Sequence, residues 1–503
     1  MAQYLLVNNY TNIRCAVNKW KEKAMSEEKK QKEKKVHRPP TVLEAYLAVV
    51  CMLIIIGVGN GVLGYDLKMM LVVCTAVNML IAWRCHASWE EMQEGIVAKI
   101  TSMGPCFLIL IGIGFLIGCC MISGTMPLLV SWLATLISPK YCLVLSFVLL
   151  AVLAMAVGSS FAAMGTLGVV MFSVASLQEI PVGMAAAAVI CGSWFGQYIS
   201  PVADVVNCAA QVNKMTTNEL IGDMIRPLGI STVITTIWFF VLGMMNTGDG
   251  GASALENVKT FVANVNENFN TNPILILPIV LAIVLSVLRV PTVLVLFGSG
   301  FVALIMGVIF QGYGIAEVIS GAYNGFSVDV FLAGKNVTPE LATLVNRGGM
   351  FSMADSVVFL FCALSCVGLM DVIGVFGVIQ KTIFRDVKSP GKLNLISMLA
   401  ILLFGLVTAD PYPPVIISND LLKGPFEKAG YDPKKAATIA LSGCLLTTLC
   451  LPWSFCAFYS GNVYGVTIGQ FFPYAILFWL VPLMVVLLSV FGIGNKKIEK
   501  EAA

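Results

Sequence analysis

The sequence predicts an all-α polytopic membrane protein made of two inverted-topology repeats, with broken helices or helical hairpins and an even number of crossings, about 10–14. Three observations predict it. The 503 residues are 58% hydrophobic and 12% charged, with a mean hydropathy of +0.87, whereas soluble domains carry about 25% charged residues. Apolar runs of about 18 residues or more recur, each enough to span a hydrocarbon core about 30 Å thick. Features that interrupt helices also return at one fixed distance along the chain. So apolar a chain leaves no room for a soluble catalytic module or a nucleic-acid surface. The formal net charge is +3, and between Arg14 and Arg38 ten Lys or Arg stand against four Glu, so the basic excess belongs to a tail.

Taken in order, residues 1–40 read as a basic cytoplasmic tail, 41–245 as the first membrane repeat, 246–272 as an extracytoplasmic linker, 273–494 as the second repeat and 495–503 as a cytoplasmic tail. Lys and Arg are retained on the cytoplasmic side, which places both ends inside. No cleavable signal peptide is expected. The first confident helices are 41–60 and 69–83. The linker is the longest polar interruption, with Asp249, Glu256 and Glu267 against Lys259. The 15 cysteines lie largely within apolar runs (Cys119, Cys120, Cys362, Cys366, Cys444, Cys450) and read as small packing groups.

The repeat is visible by subtraction. Gly192 and Gly443, Pro201 and Pro452, Ser159 and Asp410, and Pro139 and Pro390 are each 251 residues apart. Matched loops differ in charge as inversion requires: 177–181 has no Lys or Arg, and 423–435 has four.

The interruptions place the chemistry. Apolar sequence is cut at 158–166 (GSSFAAMGT) and at 408–414 (TADPYPP), where prolines remove amide donors. A second pair of helix–break–helix elements is expected at 192–207 and from Gly443 onward. Non-helical backbone at membrane depth must be buried in protein or line an aqueous cavity, so paired breaks point to a polar centre. Asp204 and Asp410 lie at these breaks, and a charge at the bilayer centre costs about 2.5–3.5 kcal/mol on insertion scales. Each can also cap the following helix, and both roles can hold at once. Hard-oxygen ligands for Na+ at Asp204, Asp410 or both are offered by Ser159, Ser160, Thr166, Ser454 and Asn207, although Ser and Thr also serve helix packing in membranes. A desolvated Asp has a raised pKa, so a cation and a proton would compete for it, which is antiport. Arg347 opens an apolar run carrying Asp355; a local Arg–Asp pair and a transport role both fit. Arg289 reads as a cytoplasmic turn, and Asp420, Lys423, Glu427 and Lys428 as a solvated face.

At these breaks the sequence resembles the NhaC-type Na+/H+ antiporter family of bacteria, within the larger group of inverted-repeat ion transporters. GSSFAAMGT resembles GTSxGTxGT, GSWFGQYISPVADVVN resembles GxYFGDxxSPLSDTTN, RGGMFSM matches RGGMxSM, and TADPY followed by LPWSFCA resembles TGDQY followed by IPWNTCG. These stretches span about residues 90–465 in family order. The resemblance implies that Asp204 and Asp410 are the acids of the translocation region, near Ser159, Ser160, Thr166 and Asn207. It also implies a multi-pass protein of a bacterial plasma membrane. Two departures stand out: Gln197 replaces the acid after YFG, and Val205 and Val206 replace two threonines. The family is similar in turn to carriers that exchange malate for lactate with sodium and protons.

The leading expectation is therefore a Na+/H+ antiporter working by alternating access, with no cofactor. The alternative is a Na+- or H+-coupled carrier or exchanger of a small organic acid or amino acid, which the Gln197 departure favours. Expected partners are Na+, H+, the lipid bilayer, that organic solute in the second case, and a second copy in a homodimer, but no nucleic acid. An intramembrane aspartyl protease is disfavoured because the repeat sets Asp204 against Phe455 and Asp410 against Ser159, never two acids together. A channel is disfavoured because no ring of charges is evident.

Overall fold

The structure is a computed structural model and describes residues 38–246, 251–375, 377–378, 390–408, 412–451 and 454–494. Regular structure among them is helical. In chain order the helices are α1 (Val42–Gly59), α2 (Leu67–Arg84), α3 (Trp89–Ser102), α4 (Gly104–Ile122), α5 (Thr125–Leu136), α6 (Pro139–Val157), α7 (Ser160–Ala163), α8 (Val169–Leu177), α9 (Val182–Tyr198), α10 (Asp204–Val212), α11 (Thr217–Met245) and α12 (Gly251–Asn268). They continue with α13 (Leu277–Val287), α14 (Thr292–Gln311), α15 (Ile315–Asn324), α16 (Val328–Phe331), α17 (Pro339–Val345), α18 (Ala354–Val372), α19 (Pro390–Thr408), α20 (Tyr412–Lys428), α21 (Lys435–Cys450), α22 (Phe455–Tyr464), α23 (Ile468–Phe471) and α24 (Leu477–Val490). Eight helices among the described residues are long and apolar enough to cross a membrane, and ten if each of two bent pairs is one crossing.

The 251-residue offset reappears in the element boundaries. α6 and α19 are both 19 residues long and start at Pro139 and Pro390; α10 and α22 start at Asp204 and Phe455. The paired prolines open helices rather than break them, since the first turn needs no N–H from that residue. The paired glycines correct the sequence reading in the same way. Gly192 and Gly443 lie inside α9 and α21, not at breaks. A Cβ on Gly192 would run into the Phe147 carbonyl of α6, and one on Gly443 into the Ile401 side chain of α19, so both glycines permit a close helix crossing.

Packing exchanges elements between the halves. α4 lies against α14, α15 and the short 3-10 turn Met350–Met353, while α18 lies against α2 and α3. Glycines again set the approach: Gly118 of α4 faces the backbone of Gly349, and Gly368 of α18 faces that of Gly95.

The 246–272 segment takes regular structure. Most of it is α12, which buries Ala254, Val258, Phe261 and Val265 at helical spacing and leaves Glu256, Lys259 and Glu267 exposed. Asn264 and Asn268 both donate to the Asn336 carbonyl, at 2.8 and 3.0 Å. A polar sequence thus folds as an amphipathic helix, because its apolar residues recur every three or four positions.

Candidate functional site

In the first half two breaks are stitched together. Gly158 closes α6 with φ +77°, and a Cβ there would press on Val202 in the second break. Ser159 starts the next helix as its N-cap, its Oγ accepting from Ala162 N at 3.3 Å. The Ser160 amide donates to Gln197 Oε1 at 3.1 Å, and Ser200 Oγ donates to the Met155 carbonyl at 2.7 Å. Ser160 Oγ is buried and makes no hydrogen bond among the described residues. Beyond α7 the helix widens into a π-segment, Met164–Gly168, and there Thr166 Oγ1 donates to Ala162 O at 2.7 Å. Such bulges free backbone groups from the regular ladder.

After Pro201 the chain turns and α10 begins. Its N-cap is Ala203, so Asp204 sits in the first turn and does not cap the helix. The sequence reading expected a desolvated carboxylate. Asp204 is instead exposed, and no side-chain hydrogen bond or ion pair engages it among the described residues. Asn207 donates to Pro201 O at 3.2 Å and accepts from Thr217 Oγ1 at 2.6 Å, tying the break to the start of α11.

In the second half Ser454 is buried and caps α22. Its Oγ accepts from Ala457 N at 3.1 Å and donates to Thr448 O at 2.6 Å. A hydroxyl that donates its proton to a carbonyl keeps lone pairs for a cation, so Thr166 and Ser454 are not disqualified as oxygen ligands. Asp410 lies outside the described residues.

The breaks of the two halves meet through aromatic side chains that the sequence reading did not single out. Tyr459 of α22 donates to the Phe161 carbonyl at 3.1 Å, Tyr464 donates to the Met164 carbonyl at 2.8 Å, and Trp194 Nε1 donates to Cys456 Sγ at 3.2 Å. Phe161 stands edge-on to Trp194 and to Tyr459, with centroids 5.7 and 5.2 Å away. The reciprocal tie runs from Asn213, just after α10, to Ser418 of α20 at 2.9 Å. Their signal was present as GSWFGQY and FCAFYSGNVY, aromatic clusters beside each break. The two tyrosine hydroxyls add a donor from the second half to carbonyls of the first half's broken helix.

The secondary candidates do not pair with each other. Asp355 binds Lys68 Nζ at 2.8 Å, which also meets Asp66 at 3.2 Å. Arg347 Nε donates to Thr343 O at 3.1 Å, and no carboxylate pairs with Arg347 among the described residues. Arg289 occupies the turn between α13 and α14 with φ +62°, and Lys423 and Glu427 form a loose, half-exposed pair at 3.9 Å. No group of three or more His, Cys, Asp or Glu converges among the described residues.

Comparisons with known proteins agree with this architecture. The sequence profile described as the Na+/H+ antiporter family matches residues 192–493, and that of the C4-dicarboxylate anaerobic carrier matches residues 4–244. An uncharacterized Na+/H+ antiporter of Haemophilus influenzae is 28% identical, over 92% of this chain and 98% of its own length. A malate-2H+/Na+-lactate antiporter of Bacillus subtilis is 27% identical, over 91% of this chain and 96% of its own. The Na+/H+ antiporter NhaC of the same organism is 27% identical, over 80% and 87%.

Proposed function

This chain belongs to the Na+/H+ antiporter family, and from that membership we propose that it exchanges Na+ for H+ by alternating access around the gathered breaks, with Asp204 and Asp410 as the acids for which the two ions compete. It is a multi-pass membrane transporter and not an enzyme. The observation that carries the reading is the Asp204 carboxylate, exposed and without a partner among the described residues, at the foot of a break whose Gln197, Ser200 and Asn207 side chains are hydrogen-bonded. A carboxylate that no Lys, Arg or amide neutralises is free to take a proton or a cation. In this reading Ser159, Ser160, Thr166, Asn207 and Ser454 are the further oxygen ligands. The exposed acid suits a state open to one side. Inverted halves, with both termini in the cytoplasm, give that alternation its symmetry.

The test is sodium-driven proton movement in everted vesicles, read as acridine-orange dequenching. We expect dequenching on addition of Na+ with no organic solute present. Movement only with an organic solute would overturn the reading.

A second reading, a Na+- or H+-coupled carrier of a small organic acid or amino acid, is favoured by Gln197. Where the resembling pattern carries an acid, an amide here holds the Ser160 N–H, which removes one carboxylate from the first half. The similarity to a malate–lactate antiporter points the same way.

A further inference from the structure

Away from the gathered breaks, a cavity of about 270 Å³ opens between α8, α12 and α17. Its walls include Phe172, Leu177, Phe261 and Leu344, and its polar groups are Ser173, Ser176, Asn257, Glu340, Thr343 and Arg347. Arg347 is the feature to be explained. It follows α17, directly before the left-handed Gly348 and Gly349 (φ +82° and +84°), and that strained turn packs on Gly118 and fixes where the arginine stands. Only Nε is used internally, and the buried Nη1 donates to nothing among the described residues. A buried guanidinium nitrogen that donates to nothing is costly, and the planar fork to which it belongs matches a carboxylate.

The other polar groups complement it. Ser173 and Ser176 donate their protons to Val169 O and Phe172 O, 2.8 and 3.0 Å away, and Asn257 Nδ2 donates to Glu179. What these serines, the Asn257 carbonyl and Glu340 can still offer a guest is acceptor oxygens. One cationic donor facing several acceptors selects a molecule with a carboxylate at one end and a hydrogen-bond donor at the other. The volume is near the lower end for small-ligand pockets, about 300 Å³. Ser173 lies seven residues beyond Thr166 along the same broken helix, about 10 Å at helical rise.

We propose that this cavity binds a small hydroxy acid or amino acid through its carboxylate on Arg347, with its hydroxyl or ammonium on the serines, Asn257 and Glu340. The proposal does not rest on the role given to Asp204. It is therefore tested by equilibrium binding, without an ion gradient, to the full chain in lipid nanodiscs. Titration calorimetry with L-lactate, L-alanine and lactamide separates the sources of the shared chemistry. Saturable binding of lactate, of alanine or of both, with lactamide at least about tenfold weaker, supports the site and identifies the class. Arg347→Gln should weaken the preferred acid by about tenfold or more, and Arg347→Lys less, because a point charge replaces a fork. Ser173→Phe, which fills the cavity and leaves the arginine, should abolish binding in protein that stays monodisperse, so the proposal remains testable if Arg347→Gln fails to fold. Absence of saturable binding by either acid, lactamide binding as tightly, or full binding by Ser173→Phe would each overturn it.

Discussion

After the break that follows Tyr198, the first half places Asp204; 251 residues later, after the break that follows α21, the second half places Phe455. The two short helices that begin there, α10 and α22, each reach across to the other half, but with different groups. α22 sends tyrosine hydroxyls to the carbonyls of Phe161 and Met164, whereas the chain just after α10 sends the amide of Asn213 to Ser418. One backbone device has thus been filled twice, once with an acid free of partners and once with an aromatic clamp. The lesson is that matched breaks carry different side chains: at this pair the first half presents a charge, and the second braces the helix on which the first half's other break is built.

The comparison breaks most sharply at the charge. Asp204→Asn should reduce sodium-driven proton exchange in everted vesicles to background while the solubilised protein stays folded, and Asp410→Asn should do the same. Full exchange in either variant removes that acid from the proposal. A Cβ at the paired glycines tests the two helix crossings. Gly192→Ala meets backbone at Phe147 and should lose about 2–3 kcal/mol, whereas Gly443→Ala meets no backbone, only the β-branched root of Ile401 and the Met398 sulfur, and should lose about 1–2 kcal/mol. Thermal unfolding of the two variants side by side reads the difference, and equal losses would erase the contrast. Gln197→Leu leaves the Ser160 N–H without its acceptor, so a lower unfolding midpoint corresponding to about 1–3 kcal/mol is expected. Smallest are Tyr459→Phe and Tyr464→Phe, each removing one hydroxyl from a break carbonyl and expected to lower stability by about 1 kcal/mol. No loss in either would mean that the clamp holds by ring packing alone.

Much of this plan was legible in the linear sequence, because its signals are local. Hydropathy marks the crossings, and the breaks follow from Gly158, Ser159 and Pro201, residues that end or start helices by their own backbone chemistry. Where the reading slipped, one residue type had two uses. Glycine can end a helix or admit a neighbour, and only the presence of Phe147 across from Gly192 distinguishes them. The same holds for the polar stretch at 246–272, whose sparse apolar residues become a buried stripe once α5, α8 and α17 lie beneath α12.

By itself, then, the sequence determined that the chain is a helical membrane protein and that oxygen-bearing side chains stand at the interruptions, since each depends on neighbours a few positions away. Only the tertiary structure decided the pairings. Asp355 is matched to Lys68, 287 residues earlier, while Arg347, eight residues from that same Asp355, pairs with no carboxylate among the described residues and lines a cavity. The reason is physical: a charge finds its partner through space, and the exchange of α4 and α18 between the halves brings together side chains that no local pattern connects.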